Sequence, residues 1–315
     1  MLAFIAKRFV GAAVIMVLLS VIIFMGGHSL LPGNEANILA GPKATAAQVQ
    51  AIAHHLGLDR SIPSQYLTWL THVLRWDFGV SPVSGERNTA VIAQQAPISL
   101  ELALYTMVIA TIVGIPLGVL TASTKRRGAD WGVRLPLLVT FAIPGFVSGS
   151  VLLYLVARYV PGLYSASYTP FSEYPIYNLR MMLVPALSVG IPTAALITQM
   201  TRSTMLEVLA QPHIATARAN GIPEWKIRYV YALKAALPPI LTLEGFMFGM
   251  LIGNLFIVEN IYSLPGLGRG VLDSIANRDF SLLEAQALVL ALAFIVGNLV
   301  VDILVPLVDR RIVRR

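Results

Sequence analysis

Residues 211–234, with the sequence QPHIATARANGIPEWKIRYVYALK, form a patterned polar segment between two long apolar stretches. Pro212 suits the first turn of a helix, and Gly221 is a typical helix stop. The pattern therefore predicts a short helix of small residues over residues 213–220, which ends in a sharp turn. A second, amphipathic helical pattern that includes Trp225 follows this turn. An exposed helix of this kind is suited to docking in the groove of a partner protein.

Six apolar stretches long enough to cross a bilayer surround this segment. The hydrocarbon core is about 30 Å thick and needs about 20 apolar residues in a helix. Hydrophobic residues make up 56% of the chain and charged residues 12%, compared with about 45–50% and 25% in soluble domains. We therefore expect an all-α membrane protein with six transmembrane helices. The apolar stretches cover residues 9–31, 99–123, 133–160, 181–200, 237–261 and 282–308.

The distribution of Lys and Arg predicts the orientation of these helices. Short basic clusters fall at alternate ends of successive spans and contain Lys7 and Arg8, residues 125–127 with Arg134, residues 202–234, and residues 310–315. Because short cytoplasmic loops carry an excess of basic residues, both termini are predicted to be cytoplasmic. This rule also accounts for the net charge of +7, so no nucleic-acid partner is expected.

The predicted division of the chain follows from the spans and their orientation. The external segment holds most of the polar residues and is expected to form a small folded cap. The division consists of an N-terminal transmembrane helix over residues 1–31, an external segment over residues 32–97, a transmembrane core over residues 98–308 that includes the cytoplasmic connection 201–236, and a basic cytoplasmic tail over residues 309–315.

Several kinds of chemistry are missing from the sequence. The chain has no cysteine, which excludes disulfides, thiolate metal sites and thiol nucleophiles. It also has no phosphate-binding loop and not even a Gly-Lys pair, so ATP would have to bind to another chain. The neighbouring His54 and His55 point in different directions in any regular structure, which favours a solvated surface over a metal site.

The polar segment resembles the coupling loop of bacterial ABC import permeases. Their pattern is Glu-Ala-Ala, three further residues and Gly, with a Leu-Pro pair later in the chain. Ala217 and Gly221 keep this spacing, and Leu237-Pro238 supplies the pair. Ala215 replaces the Glu and Thr216 the first Ala, and the gap to Leu-Pro is longer. These departures resemble the dipeptide and oligopeptide branch of the family. We refer to residues 201–236 as the coupling loop.

Further matches extend the resemblance to almost the whole chain. They point to the first, or B-type, of the two peptide permeases. The matching stretches are LGLD at residues 56–59, QYL at 65–67 with WL at 69–70, DFG at 77–79, RSTMLEVL at 202–209 and ENIYSLPGLG at 259–268.

The resemblance implies a type I ABC importer permease fold with an external insertion after the first helix. It implies a second homologous permease, two ABC ATPase domains that hold ATP and Mg²⁺, and an external solute-binding protein that delivers peptides. No cofactor is expected in this chain. The small side chains of Ala217 and Ala219 are expected to permit close contact with an ATPase domain. The candidate coupling residues are Ile214, Thr216, Ala217, Arg218, Ala219, Asn220, Gly221 and Trp225.

Charged residues inside the apolar stretches indicate a possible translocation pathway, because a charge in the bilayer is costly unless it faces a cavity or a partner. Glu244 and Glu259 lie in the fifth stretch, Asp302 in the sixth and Glu101 near the start of the second. Helix packing is the alternative explanation, since small residues also permit close helix contact. The candidate pathway residues are Glu244, Phe248, Gly249, Ile252 and Glu259.

Three alternatives to a peptide permease remain open at this point. Within the family, the cargo could be a nickel chelate or glutathione. From a different class, an intramembrane enzyme could use Glu244 or Asp302 as an acid or base, although no second convergent catalytic group stands out. A membrane scaffold could use residues 213–221 as a docking site, and copurification with an ATPase would distinguish a transporter from it.

Overall fold

The computed structural model describes residues 2–30, 36, 40–41, 44–55, 57, 59–124, 127–164 and 167–308. The predicted basic tail 309–315, residues 125–126 of the second basic cluster, and two residues of the LGLD stretch lie outside this range. Within it, no β-strand occurs, and helices account for nearly all regular structure. The helices are α1 Leu2–Leu30, α2 Ala46–His55, α3 Ile62–Val73, α4 Asn88–Ser123, α5 Arg127–Ala142, α6 Gly145–Tyr159, α7 Pro175–Leu209, α8 Pro212–Ala219, α9 Glu224–Ile261, α10 Leu267–Ala276 and α11 Phe280–Val308.

Five of these helices, α1, α4, α7, α9 and α11, are long and apolar enough to cross a membrane. Helices α5 and α6 make a sixth span if they are counted together, which agrees with the predicted all-α membrane fold. The third apolar stretch, residues 133–160, is not one straight helix, because Leu135–Ala142 and Gly145–Tyr159 meet at an angle of 107°. The break falls at Pro144, which caps α6. Proline has no N–H to donate and disfavours helical geometry in the preceding residue.

One further predicted boundary needs correction, and one helix is additional to those predicted. The amphipathic helix after Gly221 is not a separate element, because it continues into the fifth span as the single helix α9. A π-helical turn at Ile227–Ala232 lies at the junction. Helix α10, between the fifth and sixth spans, was not predicted from the sequence.

The most extensive helix contact in the bundle is between α4 and α7. Gly114 and Gly118 on α4 face Ile197 and Thr201 on α7. A Cβ on Gly118 would lie 2.4 Å from the Cβ of Thr201, and one on Gly114 would lie 2.7 Å from the Cβ of Ile197. Thr198 also donates a hydrogen bond to the Gly114 carbonyl at 3.2 Å. Glycine at these two positions therefore permits the backbones to approach each other directly, as small residues do in membrane helix pairs.

Two layers of buried apolar side chains continue this contact toward the two ends of the bundle. The outer layer packs α4, α6, α7 and α9 together, for example through Leu102, Met182 and Leu255. The inner layer packs α4, α7 and α9 together, for example through Val119 and Ile240. These three helices form the centre of the molecule.

Polar contacts gather the external ends of the helices. Ser81 donates a hydrogen bond to Asp279 at 2.5 Å, which joins the segment before α4 to the turn before α11. Glu101 near the start of α4 accepts hydrogen bonds from Tyr168 and Asn178, each at 2.9 Å. The starts of α4, α7 and α11 therefore meet at one end of the bundle. Transmembrane helices that alternate in direction require this arrangement, because every second helix starts on the same side of the membrane.

The tyrosines of the loop before α7 contact protein groups at this end. The Tyr164 hydroxyl donates to the carbonyl oxygen of Tyr262. Burial raises the pKa of Tyr164 to about 12, so the hydroxyl stays protonated and keeps its donor role at neutral pH. Tyr168, which donates to Glu101, fixes the same loop against α4.

The contact between α4 and α7 generates a stability prediction with opposite signs at two glycines. Gly118→Ala should destabilise the protein by about 1–3 kcal/mol, because the new methyl group forces packed helices apart. Gly253→Ala should stabilise it by about 0.5–1 kcal/mol, because alanine is the better helix former and nothing lies within 4 Å of that position. Thermal unfolding of the purified variants in detergent measures both. A melting temperature for Gly118→Ala at or above that of the unsubstituted protein would contradict the packing assignment.

Candidate functional site

Helix α8 has a small hydrophobic core of its own at the cytoplasmic end of the bundle. Ile214 and Ile227 are fully buried, Ala217 is 8% exposed, and Leu209 and Ile222 pack against them. These residues come from the end of α7, from α8, from the turn after it and from the start of α9. The coupling loop is therefore a folded unit attached to both long helices.

The end of α8 is fixed by backbone hydrogen bonds. The Gly221 N–H donates to the Arg218 carbonyl at 3.0 Å, and the Ile222 N–H donates to the Ala217 carbonyl at 3.2 Å. This pair of bonds is a Schellman motif, which needs a left-handed residue after the helix. Gly221 supplies that residue with a φ of +74°, which confirms the helix stop predicted from the sequence.

An ion pair also links the end of α8 to α9. Arg218 donates to Glu224 at 2.7 Å, and Arg228 lies 3.5 Å from the other oxygen of the same carboxylate. Both pairs are exposed, so each contributes at most about 1 kcal/mol. Their geometry still orients the turn relative to the first residues of α9.

The structure separates the candidate coupling residues into an inner and an outer set. Ile214 and Ala217 are buried against neighbouring parts of this chain, so the Ala217 side chain lies on the inner face of α8. Its methyl group fills the gap between α8 and the start of α9. The exposed residues of the set are Thr216, Arg218, Ala219, Asn220, Gly221 and Trp225.

Two of the candidate pathway residues line a groove between α4, α9 and α11. The groove has a volume of about 800 Å³ and almost entirely apolar walls. Glu244 and Phe248 lie along it, and Thr111 donates a hydrogen bond to Glu244 at 2.8 Å. Trp76 and Phe78 line its external end. The carboxyl group of Glu244 is the main polar feature of this groove.

Gly249 and Ile252 lie on other faces of the same helix. A Cβ on Gly249 would lie 2.5 Å from the Phe294 ring, so this glycine lets α11 pack closely against α9. Ile252 is buried in the outer layer of the core. Neither residue lines the groove.

Glu259 lies at the external end of α9 and is completely buried. Its carboxylate accepts hydrogen bonds from the Ser99 hydroxyl at 2.6 Å and from the Arg269 N–H at 2.8 Å. The Leu267 N–H donates to Ser99 at 2.8 Å. Glu259 thus joins α9 to α4 and to the first turn of α10, where the helix dipole favours a negative charge.

Helix α10 was not predicted, although the sequence contains a signal for it. Apolar residues recur at positions 267, 271 and 275 after the Pro265-Gly266 pair, with Arg269, Asp273 and Ser274 between them. This spacing is typical of one face of a short helix. A ten-residue helix is too short to register in a search for membrane spans.

His54 hydrogen-bonds Asp59 at 2.7 Å on the surface of the external segment. In the described ranges, no three His, Asp or Glu side chains converge in the way that a metal ion would require.

Two family models match the chain. The model described as "Binding-protein-dependent transport system inner membrane component" matches residues 114–314. A second model, for the N-terminal part of such membrane components, matches residues 1–103. Together these two ranges take in α8, both flanking helices and the external segment.

Curated relatives are similar to the chain over nearly its whole length. A probable peptide ABC transporter permease, y4tP of Sinorhizobium fredii, is 31% identical over 309 residues, which cover 98% of each chain. A putative peptide transport system permease of Brucella suis is 33% identical over 312 residues and 99% of each chain. The glutathione transport system permease GsiC of Salmonella typhi is 33% identical over 305 residues and 96% of each chain.

Solved structures are similar in fold. An inward-facing methionine ABC transporter, MetNI, superposes with a TM-score of 0.56 at 16% identity, over 70% of this chain and 96% of that one. An amino acid ABC transporter superposes with a TM-score of 0.50 at 18% identity, over 71% of this chain and 94% of that one. At these identities the similarity applies to the fold of the helix bundle.

The buried carboxylate of Glu259 generates a prediction about stability. Glu259→Ala should lower the free energy of unfolding by about 1–3 kcal/mol for each donor left without a partner. Glu259→Gln should have a smaller effect, because its amide oxygen still accepts one of the hydrogen bonds. Asn254→Ala is the matched control, because Asn254 is exposed on the same helix and bonds only its own helix, at the Met250 carbonyl. Thermal unfolding that ranks Asn254→Ala with or below Glu259→Ala would contradict the assignment.

Proposed function

The chain belongs to the family of binding-protein-dependent transport system inner membrane components, and from this premise we propose that it is the first, B-type, permease of an ATP-driven peptide importer. In this proposal the chain forms the path across the membrane together with a second, homologous permease. Two ATPase domains bind ATP and Mg²⁺ on the cytoplasmic side, and an external solute-binding protein delivers the cargo. The chain itself catalyses no covalent step.

The observation that carries the proposal is the exposed helix α8 and its attachment. A protruding eight-residue helix between two membrane-spanning helices is suited to docking in a groove of a partner. A small apolar core and a Schellman motif hold α8 against its neighbours. A displacement of α8 would therefore be transmitted to the ends of α7 and α9. The sequence of residues 211–234 is also more regularly patterned than that of a passive loop.

The proposed cargo is a short peptide. Relatives named as peptide permeases are 31–33% identical to this chain over nearly its whole length. Glutathione is the second candidate, because a permease named for glutathione transport is equally similar at 33% identity. Both are small solutes with charged ends, and a single carboxylate at Glu244 in an apolar groove could act on either.

The proposed path includes the groove between α4, α9 and α11, where Glu244 and Phe248 lie. Glu244 is 9% exposed and bonded to Thr111, and an ionisable group inside the bilayer is costly and commonly marks a solute or ion pathway. Gly249, Ile252 and Glu259 are proposed to support this path indirectly, since they hold α9 against α11, the core and α10.

The docking proposal predicts that a large charged side chain on the outer face of α8 disrupts ATPase binding. Ala219 is the exposed last residue of α8, so Ala219→Arg leaves the small apolar core beneath α8 intact. We expect it to reduce copurification of the ATPase and substrate-stimulated ATP hydrolysis at least about fivefold, the loss typical of a disrupted interface contact.

Ala276→Arg is the matched control, because Ala276 is the exposed last residue of the external helix α10. This variant should retain its ATPase partner. If Ala219→Arg copurifies with the ATPase as well as Ala276→Arg does, the docking surface is assigned wrongly. A kinase as partner, or no partner at all, would favour the scaffold alternative.

The path proposal predicts that the charge of Glu244 matters more for transport than for assembly. Glu244→Gln preserves the volume of the side chain and an oxygen that can accept the hydrogen bond from Thr111. Uptake of a labelled dipeptide by the reconstituted importer should therefore fall at least about tenfold, equivalent to about 1.4 kcal/mol, with an unchanged yield of complex. Glu173→Gln removes an exposed carboxylate from the loop before α7, outside both the groove and the coupling loop, and should leave uptake near its normal rate.

Normal uptake by Glu244→Gln would leave Glu244 as a packing residue. The same vesicles, supplied with labelled glutathione in place of the dipeptide and with the matching binding protein, distinguish the two cargo candidates.

A further inference from the structure

A second groove lies between α1 and α11 at the cytoplasmic end of the bundle. Its volume is about 590 Å³. Gly11 and Ala12 provide little bulk on the α1 side, which leaves the groove open. The residues that line it are Lys7, Arg8, Gly11, Ala12 and Ile15 on α1, and Phe294, Ile295, Asn298, Leu299 and Asp302 on α11.

This groove opens toward the bilayer. Helix α1 lies at the edge of the bundle, where apolar side chains such as Phe9, Val10 and Val14 are more than half exposed. In a membrane, side chains of this kind face lipid. The walls of the groove are therefore within reach of acyl chains from the surrounding bilayer.

The two ends of the groove differ in charge. Lys7 and Arg8 lie at one end, opposite a single carboxylate, Asp302. Arg8 contacts Asp302 at 3.1 Å and holds α1 against α11 at this level. Within the described part of the chain no carboxylate pairs with Lys7, which is exposed. Among the described residues that line the groove, positive charges therefore exceed negative charges by one, beside an apolar floor.

We propose that this groove binds one anionic phospholipid, such as phosphatidylglycerol. The ammonium of Lys7, beside the Arg8–Asp302 pair, faces the phosphate, and an acyl chain lies along Gly11, Ile15 and Phe294. Basic pockets between transmembrane helices on the cytoplasmic side are a known mode of recognising anionic headgroups. Nothing in this proposal depends on the cargo or on ATP coupling.

The shape of the groove favours a phospholipid over other occupants. A free phosphate ion would use the cationic end and leave the apolar floor bare. A helix of a second protein would fill the floor, but it would also bury Lys7 away from water, which is costly for a charge without a partner. A phospholipid matches both parts, because its charged headgroup meets the cationic end while an acyl chain covers the apolar floor.

Native mass spectrometry of the intact transporter tests the proposal. The complex is stripped of lipid in detergent and titrated with phosphatidylglycerol or, separately, with phosphatidylcholine of the same acyl chains. We expect one phosphatidylglycerol to bind in preference to phosphatidylcholine. Lys7→Gln should weaken that binding about fivefold, the effect expected for one basic residue near a headgroup.

Two further variants distinguish this groove from general attraction of anionic lipid. Gly11→Leu should abolish the bound lipid by filling the groove, and it should fold normally because nothing lies within 4 Å of a Cβ at that position. Lys234→Gln removes an exposed cytoplasmic charge from α9, away from the groove, and should leave binding unchanged. Equal binding of the two lipids, or wild-type binding by both Lys7→Gln and Gly11→Leu, would overturn the proposal.

Crosslinking identifies the occupant directly, because the chain has no cysteine of its own. Ile15→Cys places one thiol in the groove, and a maleimide photocrosslinker attached there reacts with whatever lies beside it in native membranes. We expect an adduct of this chain with the mass of a phospholipid. An adduct with another protein subunit would show that the groove is a protein interface and would refute lipid binding.

Discussion

The structure depends on the direct contact between the backbones of α4 and α7 at Gly114 and Gly118. Inside a bilayer, lipid chains are as apolar as leucine, so burial of apolar side chains drives helix association weakly. Close van der Waals contact takes its place, and it requires glycine on α4 because the side chains of Ile197 and Thr201 occupy the space where a Cβ would lie. Thr198 adds a hydrogen bond to the Gly114 carbonyl within the same contact. The other membrane helices pack around this pair.

Helix α9 is attached to that pair at both ends, by different kinds of interaction. At the cytoplasmic end, Ile227 is buried with Ile214 and Ala217, so α9, α8 and the end of α7 share an apolar core. At the external end, the Glu259 carboxylate bonds Ser99 on α4 and the backbone of α10. At the cytoplasmic end, where α8 protrudes into water, apolar packing holds the helices together. At the external end, the buried carboxylate is stable only because several donors converge on it.

The sequence predicts the parts of this molecule that depend on local patterns. The helix over 213–220 and the left-handed Gly221 follow from Pro212 and from the stop signal, and both are local features. Burial of Ala217 depends on packing against residues from α7 and α9, which spacing within α8 does not reveal. Pro144 marks a place where the third span can kink, but the sequence does not show that the two parts meet at 107°. Glu259 finds its partner Ser99 160 residues away in the chain, a distance that no sequence pattern records.

These attachments restrict how a displacement of α8 can spread through the bundle. Helices α7 and α9 contain 35 and 38 residues, so each is about 52–57 Å long at 1.5 Å per residue and reaches well beyond the bilayer core. Because α9 is fixed to α4 at Glu259, and α4 is fixed to α7 at Gly118, α9 cannot slide along its neighbours without breaking a buried hydrogen bond or a close backbone contact. Tilting of α4, α7 and α9 together preserves both contacts. A displacement of α8 therefore favours a rigid tilt of α4, α7 and α9. That tilt moves the wall of the groove in which Glu244 lies.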